Sequence, residues 1–150
     1  MSILRGLSGI LGTFLIPDPD REPVIEEINF ADAVTAHHHW KTRLQDYVEG
    51  RLQEEPQEEP DPDIVSRDDQ CLLGKWIHGP GLERYHQEPK FYQLRTAHAQ
   101  FHFIAGKMVR HVQANERAQA QALLENEYKH ISHSVVQALT ELNAHISGSI

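Results

Sequence analysis

One stretch of the chain constrains the fold more than any other, and it runs from Phe91 to Val112 as FYQLRTAHAQFHFIAGKMVRHV. Its apolar residues recur at helical spacing, so the pattern predicts an amphipathic α-helix with one buried face. His98 and His102 lie four residues apart, and residues at that spacing share a helix face with Cβ atoms roughly 6 Å apart. Two imidazoles placed in this way either bind one metal ion or are core histidines satisfied by hydrogen bonds.

The composition predicts a single all-α domain. Aromatic residues make up only 7% of the 150 residues, and Ala, Gln, Glu and Leu fill the long segments, which favours helices. The formal net charge of −8 argues against a nucleic-acid-binding protein, which needs a basic surface. No apolar run reaches the roughly 18 residues of a membrane span. The single cysteine excludes an intramolecular disulfide and suits the reducing cytoplasm.

The sequence pattern divides the chain into three parts. Residues 1–16 form an amphipathic N-terminal segment, residues 17–24 a Pro-rich linker, and residues 25–146 the helical bundle domain. The apolar stripe of the first segment includes Leu4, Leu7, Leu11 and Phe14. Such a stripe predicts packing on the chain's own bundle or docking on a partner protein, and it leaves open peripheral contact with a membrane.

Two long helices are predicted on either side of the paired histidines. Apolar residues keep helical spacing over about Ile25–Leu52 and again over Glu116–His145. The stretch Gln53–Asp63 is acidic and Pro-rich, which predicts an extended, solvated loop. The Pro89 residue stands in front of the paired-histidine stretch, as is typical of the first turn of a helix.

A short helix is predicted around the single cysteine. Ser66, followed three residues later by Asp69, resembles a capping box and predicts the start of a helix that ends near Ile77. The run Gly79–Gly81, which contains a proline, predicts a break in the chain after it. A short turn over Leu82–His86 then leads to the paired-histidine helix.

Three regions supply side chains that bind metals well. They are the run His37–His39, the single Cys71, and the pair His98 and His102. Consecutive residues of a helix point about 100° apart, so at most one histidine of the run can face an ion shared with the other regions. Closed zinc sites take four ligands in a tetrahedron and commonly mix Cys with His. The spacing therefore predicts a zinc site that joins three parts of a bundle.

The sequence resembles the bacterial chemoreceptor zinc-binding domain family, known as CZB, over about Ile28–Leu142. The resemblance rests on three motifs in this order, His37-x-x-Trp40, Cys71-Leu72-Leu73-Gly74-Lys75-Trp76 and His98-x-x-x-His102. It implies an all-α four-helix bundle with a short extra helix that carries the Cys-x-x-Gly-x-Trp motif. It also implies a Zn²⁺ cofactor with the ligands His37, Cys71, His98 and His102.

The resemblance implies a sensory function and no enzymatic one. Members of the family sense zinc or oxidants, often form homodimers, and usually sit on chemoreceptors or diguanylate cyclases. No such output domain fits in 150 residues, so we expect a cytoplasmic module that acts in trans on a chemotaxis or cyclic-di-GMP partner. A filled three-His, one-Cys site is closed, whereas catalytic zinc keeps a position for water.

Two other functions are compatible with the sequence. One is a purely structural zinc that holds the bundle together. The other is a hemerythrin-like di-iron protein, which uses Glu-x-x-His motifs on facing helices. Glu127 and His130 fit that spacing on one predicted long helix.

The remaining motif residues are predicted to pack around the metal. Gly74 would permit close approach of a helix, while Trp40 and Trp76 would bury large rings beside the ion and exclude water. The other histidines are predicted to lie on the surface or to support the ligands: His38, His39, His78, His86, His111, His130, His133 and His145.

Overall fold

The computed structural model describes residues 28–51 and 59–148, and within these ranges the chain is helical and contains no strand. Its helices are α1 (Phe30–Val48), α2 (Pro62–Val65), α3 (Leu72–Ile77), α4 (Pro80–Tyr85), α5 (Pro89–Gln113), α6 (Arg117–Leu123) and α7 (Lys129–Gly148), with a π-helical turn (Leu124–Tyr128) between α6 and α7. The all-α prediction is therefore confirmed. The N-terminal segment, its linker and most of the QEEP repeat lie outside the described residues.

The bundle is built around α5. Its buried face packs along α7, α6 and α2, and α1 lies across both α5 and α7. Within the described ranges the long helical stretches are α1, α5 and the run from α6 through α7, so the predicted count of four long helices is not reached there. The buried aromatic residues Trp76, Tyr128, Phe91 and Phe101 are among the largest side chains of the core.

The α1 helix is shorter than its apolar pattern suggested. It begins at Phe30 because the side chain of Asn29 accepts a hydrogen bond from the backbone N–H of Asp32 at 3.0 Å, which satisfies one of the free donors of the first turn. It ends at Val48, and Gly50 follows with a φ of +77°. That left-handed conformation is common at helix ends and favours glycine.

The predicted start of the cysteine-bearing helix is wrong. Ser66 ends α2 as its C-terminal cap, and α2 itself begins at Pro62, inside the stretch predicted to be extended. The residue that caps the N-terminus of α3 is Cys71, whose sulfur accepts a hydrogen bond from the backbone N–H of Gly74. A thiol is a weak acceptor, which is why the sequence pattern pointed to the hydroxyl of Ser66 instead.

The predicted break occurs at His78 and Gly79, between α3 and α4, but Pro80 and Gly81 already belong to α4. Pro80 occupies the first turn of α4, where its missing N–H costs nothing, and Gly81 is buried. A Cβ atom at Gly81 would lie 2.8 Å from the Trp76 side chain. The glycine therefore lets α4 pack directly against that ring.

The last predicted helix contains an irregularity that its periodicity did not reveal. The π-helical turn over Leu124–Tyr128 inserts one extra residue per turn between α6 and α7. It brings Tyr128 into the core, fully buried and stacked on Phe101 with ring centroids 5.1 Å apart. No helix of the described ranges has the length and apolar character needed to cross a membrane.

Candidate metal centre

The α5 helix presents His98 and His102 to the interior from successive turns. Both imidazoles are buried, and their ring centroids lie 4.6 Å apart. They share a face of α5 with Phe101, Leu94 and Ala105, which belong to the core. The i, i+4 spacing that the sequence showed therefore places both rings at one buried position.

Cys71 meets this pair from the N-terminus of α3. Its Sγ lies 3.4 Å from Nε2 of His98 and 3.7 Å from Nε2 of His102. In a tetrahedral zinc site with a Zn–S bond of about 2.3 Å and a Zn–N bond of about 2.0–2.1 Å, sulfur and nitrogen stand about 3.6 Å apart. Both observed separations lie close to that value, so the two sulfur–nitrogen pairs fit edges of a zinc tetrahedron.

These three residues form a compact donor group. The possible ligand atoms of Cys71, His98 and His102 all lie within 4.8 Å of one another, and all three residues are buried. In residues 28–51 and 59–148, no other group of three or more His, Cys, Asp or Glu residues was found that could hold a metal ion. A mixture of thiol sulfur and imidazole nitrogen is a donor set that zinc prefers.

The backbone carbonyl of Val65 fixes the orientation of one ligand. Nδ1 of His102 lies 2.9 Å from the Val65 oxygen, and because a carbonyl can only accept, Nδ1 carries the proton. The lone pair of the neutral ring then resides on Nε2, which faces Cys71. A hydrogen bond from the distal nitrogen to a backbone carbonyl is a usual support for histidine ligands of metals.

Burial sets the protonation of the group. It lowers the pKa of His98 well below its ordinary value, and it also lowers the pKa of His102, although the Val65 hydrogen bond opposes this shift. Both rings are therefore neutral, as metal ligation requires. Burial raises the pKa of the Cys71 thiol to about 11, against the smaller effect of the Gly74 amide. Zinc binding must therefore displace a proton from the sulfur.

His37, the fourth ligand that the resemblance implies, lies outside this compact group. It is buried on α1 and lines the same cavity as the other three residues. Its Nε2 is hydrogen-bonded to Oγ of Ser132 on α7 at 2.9 Å. Burial, followed by the neighbouring His38, lowers the pKa of His37 to about 3, so this ring is neutral as well.

The other histidines lie where the helix geometry predicts. His38 and His39 follow His37 on α1 and are exposed, because only one of three consecutive residues faces the core. Three further histidines lie beside carboxylates at the surface: His78 with Asp68, His111 with Glu116 and His145 with Glu88. His86, His130 and His133 are also exposed.

The two tryptophans occupy different surroundings. Trp40 lines the cavity beside the donor group, with its ring centroid 5.3 Å from that of His102. Trp76 packs against Phe91, Phe30 and Tyr85 and is not among the residues that line this cavity. Trp76 packs α3 against the bundle, and because Cys71 caps α3, this packing helps to fix the position of the cysteine.

Gly74 makes the close approach that was predicted for it, although its neighbour is a turn and not a helix. A Cβ atom built at this position would lie 1.9 Å from the backbone oxygen of Asp68. Only glycine fits there, and the fit holds Cys71 in the capping position. The same backbone N–H of Gly74 bonds to the Cys71 sulfur at 3.3 Å.

A cavity of about 280 Å³ opens beside the donor group. One wall comes from the start of α1 and the other from the start of α3, and aliphatic side chains dominate both. They include Ile28, Ala33, Ala36, Leu72 and Leu73. The donor atoms thus lie at the end of an apolar approach from the surface.

Sequence reasoning missed two residues that form hydrogen bonds with the predicted ligands. Val65 acts through its backbone carbonyl, which leaves no trace in the side-chain pattern. Ser132 is almost completely buried on the core face of α7, four residues after Tyr128. A serine at a stripe position of an amphipathic helix is a detectable signal, because buried hydroxyls need partners.

A family model described as "Chemoreceptor zinc-binding domain" matches residues 37–109. The matched range begins at His37 on α1 and ends at Val109 on α5, so it includes the cysteine and all three histidines but is shorter than the range expected from the motifs. Comparisons with curated proteins and with solved structures gave no match. The family binds zinc, and the donor group found here fits zinc by its chemistry and its spacing. Residues 37–109 therefore belong to the chemoreceptor zinc-binding domain family.

Proposed function

We propose that this protein is a sensory module in which His37, Cys71, His98 and His102 together hold one Zn²⁺. The observation that carries the proposal is the position of the Cys71 sulfur, 3.4 Å and 3.7 Å from the two α5 imidazoles. His37 is the remaining histidine that lines the cavity around this group. With it the site has four protein ligands and no place for a catalytic water, which favours regulation over catalysis.

The sensory step is proposed to take place at Cys71. Bound zinc would keep the sulfur as thiolate, the form that is oxidised most readily. A peroxide then transfers one oxygen atom to the thiolate, which becomes a sulfenic acid as hydroxide leaves. Acid acts on the same group, because protons compete for the imidazole nitrogens and the sulfur. Loss of the sulfur ligand separates α3 from α5, and the movement of α3 is the signal.

Hydrogen exchange distinguishes this sensor from a purely structural zinc. A chelator added to the zinc-loaded protein is expected to speed amide exchange in α3 and in the turn before it, because Cys71 is the only ligand that these residues supply. The rest of the bundle keeps its apolar core and stays protected. The Cys71→Ala variant is the control, since its exchange in α3 should be fast with or without chelator. Complete unfolding of the zinc-free bundle, with no protected amides left in any helix, would instead indicate a structural zinc.

Action on a partner in trans is proposed to involve residues 1–16. Their stripe of Leu4, Leu7, Leu11 and Phe14 suits docking on an apolar groove of a cytoplasmic chemoreceptor or diguanylate cyclase. A homodimer would present two such segments. Removal of residues 1–16 is expected to abolish pull-down of these partners while zinc binding persists. Unchanged pull-down by the shortened protein would remove the segment from the proposal.

A hemerythrin-like di-iron site has less support. Two pairs have the Glu-x-x-His spacing of its motif, Glu127 with His130 and Glu83 with His86, and all four residues are exposed. Bundle carboxylates that bind iron instead project into the core. Iron in the purified protein, with a visible absorption band, would favour this alternative.

A further inference from the structure

Among residues 28–51 and 59–148, Ser132 is the one polar side chain outside the proposed ligand set that contacts a ligand through a buried side-chain hydrogen bond. Its Oγ lies 2.9 Å from Nε2 of His37, and the two residues are 1% and 8% exposed. They come from different helices, 95 positions apart in the chain. Because both groups are shielded from water, this bond holds the His37 ring on the α7 side of its cavity.

The packing around His37 restricts where its ring can turn. One face of the ring lies on Phe101, with centroids 4.5 Å apart. Phe101 is in turn stacked on Tyr128, which the π-helical turn holds in the core. The ring thus contacts Ser132 on α7 and lines the cavity that the donor group also lines.

His37 cannot join the donor group in the orientation that the structure shows. Neither of its nitrogens belongs to the set of ligand atoms within 4.8 Å of one another, which contains Cys71, His98 and His102. Nε2 of His37 can reach an ion held by those three residues only by leaving Ser132. The hydrogen bond is therefore a competitor of the metal for the same imidazole.

We infer that Ser132 sets the zinc affinity of this site by holding His37 away from the metal, so that His37 exchanges between the serine hydroxyl and the zinc ion. This inference rests on the proposed four-ligand site. The exchange leaves no unsatisfied hydroxyl behind, because a helical serine can bond to the carbonyl four residues earlier. Ser134, on the same helix, already does so with the carbonyl of His130 at 3.3 Å.

Removal of the Ser132 hydroxyl should strengthen zinc binding, which is the opposite of what most substitutions near a metal site do. Ser132→Ala removes the competitor and leaves His37 buried without that partner, so zinc should bind more tightly by roughly 2-fold to 10-fold, as expected for loss of one net hydrogen bond. A residue that merely supported the site would weaken zinc binding when removed. The measurement is the zinc dissociation constant of the full-length chain by competition with a chromophoric chelator.

Two further variants separate the inference from the function on which it rests. Ser134→Ala removes a neighbouring hydroxyl that bonds within its own helix, and it should leave the dissociation constant unchanged. His37→Ala should weaken zinc binding at least 10-fold if His37 is a ligand. An unchanged value for His37→Ala would overturn the four-ligand site itself. A weakened His37→Ala combined with an unchanged or weakened Ser132→Ala would overturn only the role of Ser132.

A spectroscopic measurement tests the exchange directly and does not depend on affinity. Nitrogen-15 correlation spectra of the histidine rings should show a large shift of the His37 Nε2 resonance on addition of one equivalent of zinc. In Ser132→Ala the zinc-loaded spectrum should match that of the unaltered protein, while the zinc-free spectrum differs at His37. Identical His37 signals with and without zinc would show that the ring stays on Ser132, and would overturn the inference.

Discussion

Saturating zinc is expected to raise the free energy of unfolding of this protein by about 4 kcal/mol when free zinc exceeds the dissociation constant a thousandfold. The reason is that the unfolded chain offers no preformed site, so the binding energy appears as folding energy. For a domain of this size the gain corresponds to roughly 10–20 °C in the unfolding midpoint. Thermal unfolding followed by circular dichroism, with zinc and with chelator, measures it.

Single variants assign the zinc effect to the donor group. Cys71→Ala removes the only thiol of the chain and should abolish most of the shift in midpoint. His133→Ala is the matched control, because that histidine is exposed on α7 and should leave the shift intact. An equal zinc shift in Cys71→Ala and in the unaltered protein would mean that the ion binds elsewhere, for example at surface histidines.

Gly74→Ala is expected to destabilise the protein and to weaken zinc binding at least 10-fold. In an ordinary helix this change is favourable by about 1 kcal/mol. Here the new Cβ would lie 1.9 Å from the backbone oxygen of Asp68, and a backbone atom cannot rotate away as a side chain can. Either α3 or the turn before it must move, which takes the Cys71 sulfur away from the two α5 imidazoles. We expect a loss of roughly 3 kcal/mol, at the upper end of overpacking costs.

Gly50→Ala provides the comparison for this effect. A Cβ atom there meets only the Arg117 side chain, at an ordinary distance of 3.6 Å, but Gly50 has a φ of +77°. The substitution should cost about 1–2 kcal/mol through backbone strain and should leave the zinc dissociation constant unchanged. Urea unfolding and chelator competition on both variants measure the two quantities. Equal zinc affinities for Gly74→Ala and Gly50→Ala would contradict the proposed role of Gly74.

The parts of the site that depend on local spacing could be predicted from the sequence. His98 and His102 share a face because four residues make about one helical turn, and Pro89 begins α5 as its position suggested. The donor chemistry of its thiol had already made Cys71 a candidate, the resemblance implied it as well, and the structure brings it to the same point. These predictions hold because each depends on a few neighbouring residues or on a compact motif.

The parts that depend on contacts between distant helices could not be predicted. The bond from His37 to Ser132 joins residues 95 positions apart, and no periodicity records such a pairing. The π-helical turn that buries Tyr128 is also invisible, because a single inserted residue barely alters an apolar stripe. The start of α3 was misplaced for a related reason, since Cys71 caps it and caps are usually hydroxyl or carboxamide side chains.

The aliphatic lining of the cavity between α1 and α3 is expected to govern how fast reagents reach the Cys71 sulfur. Any reagent that travels to the Cys71 sulfur along this route passes Ile28, Ala33 and Leu73, and apolar walls of this kind penalise charged solutes because these must shed water to enter. Small neutral oxidants therefore arrive faster than ionic chelators of equal reactivity. We therefore expect the rate of reaction at Cys71 to depend on this entrance, separately from the affinity of the donor group for zinc.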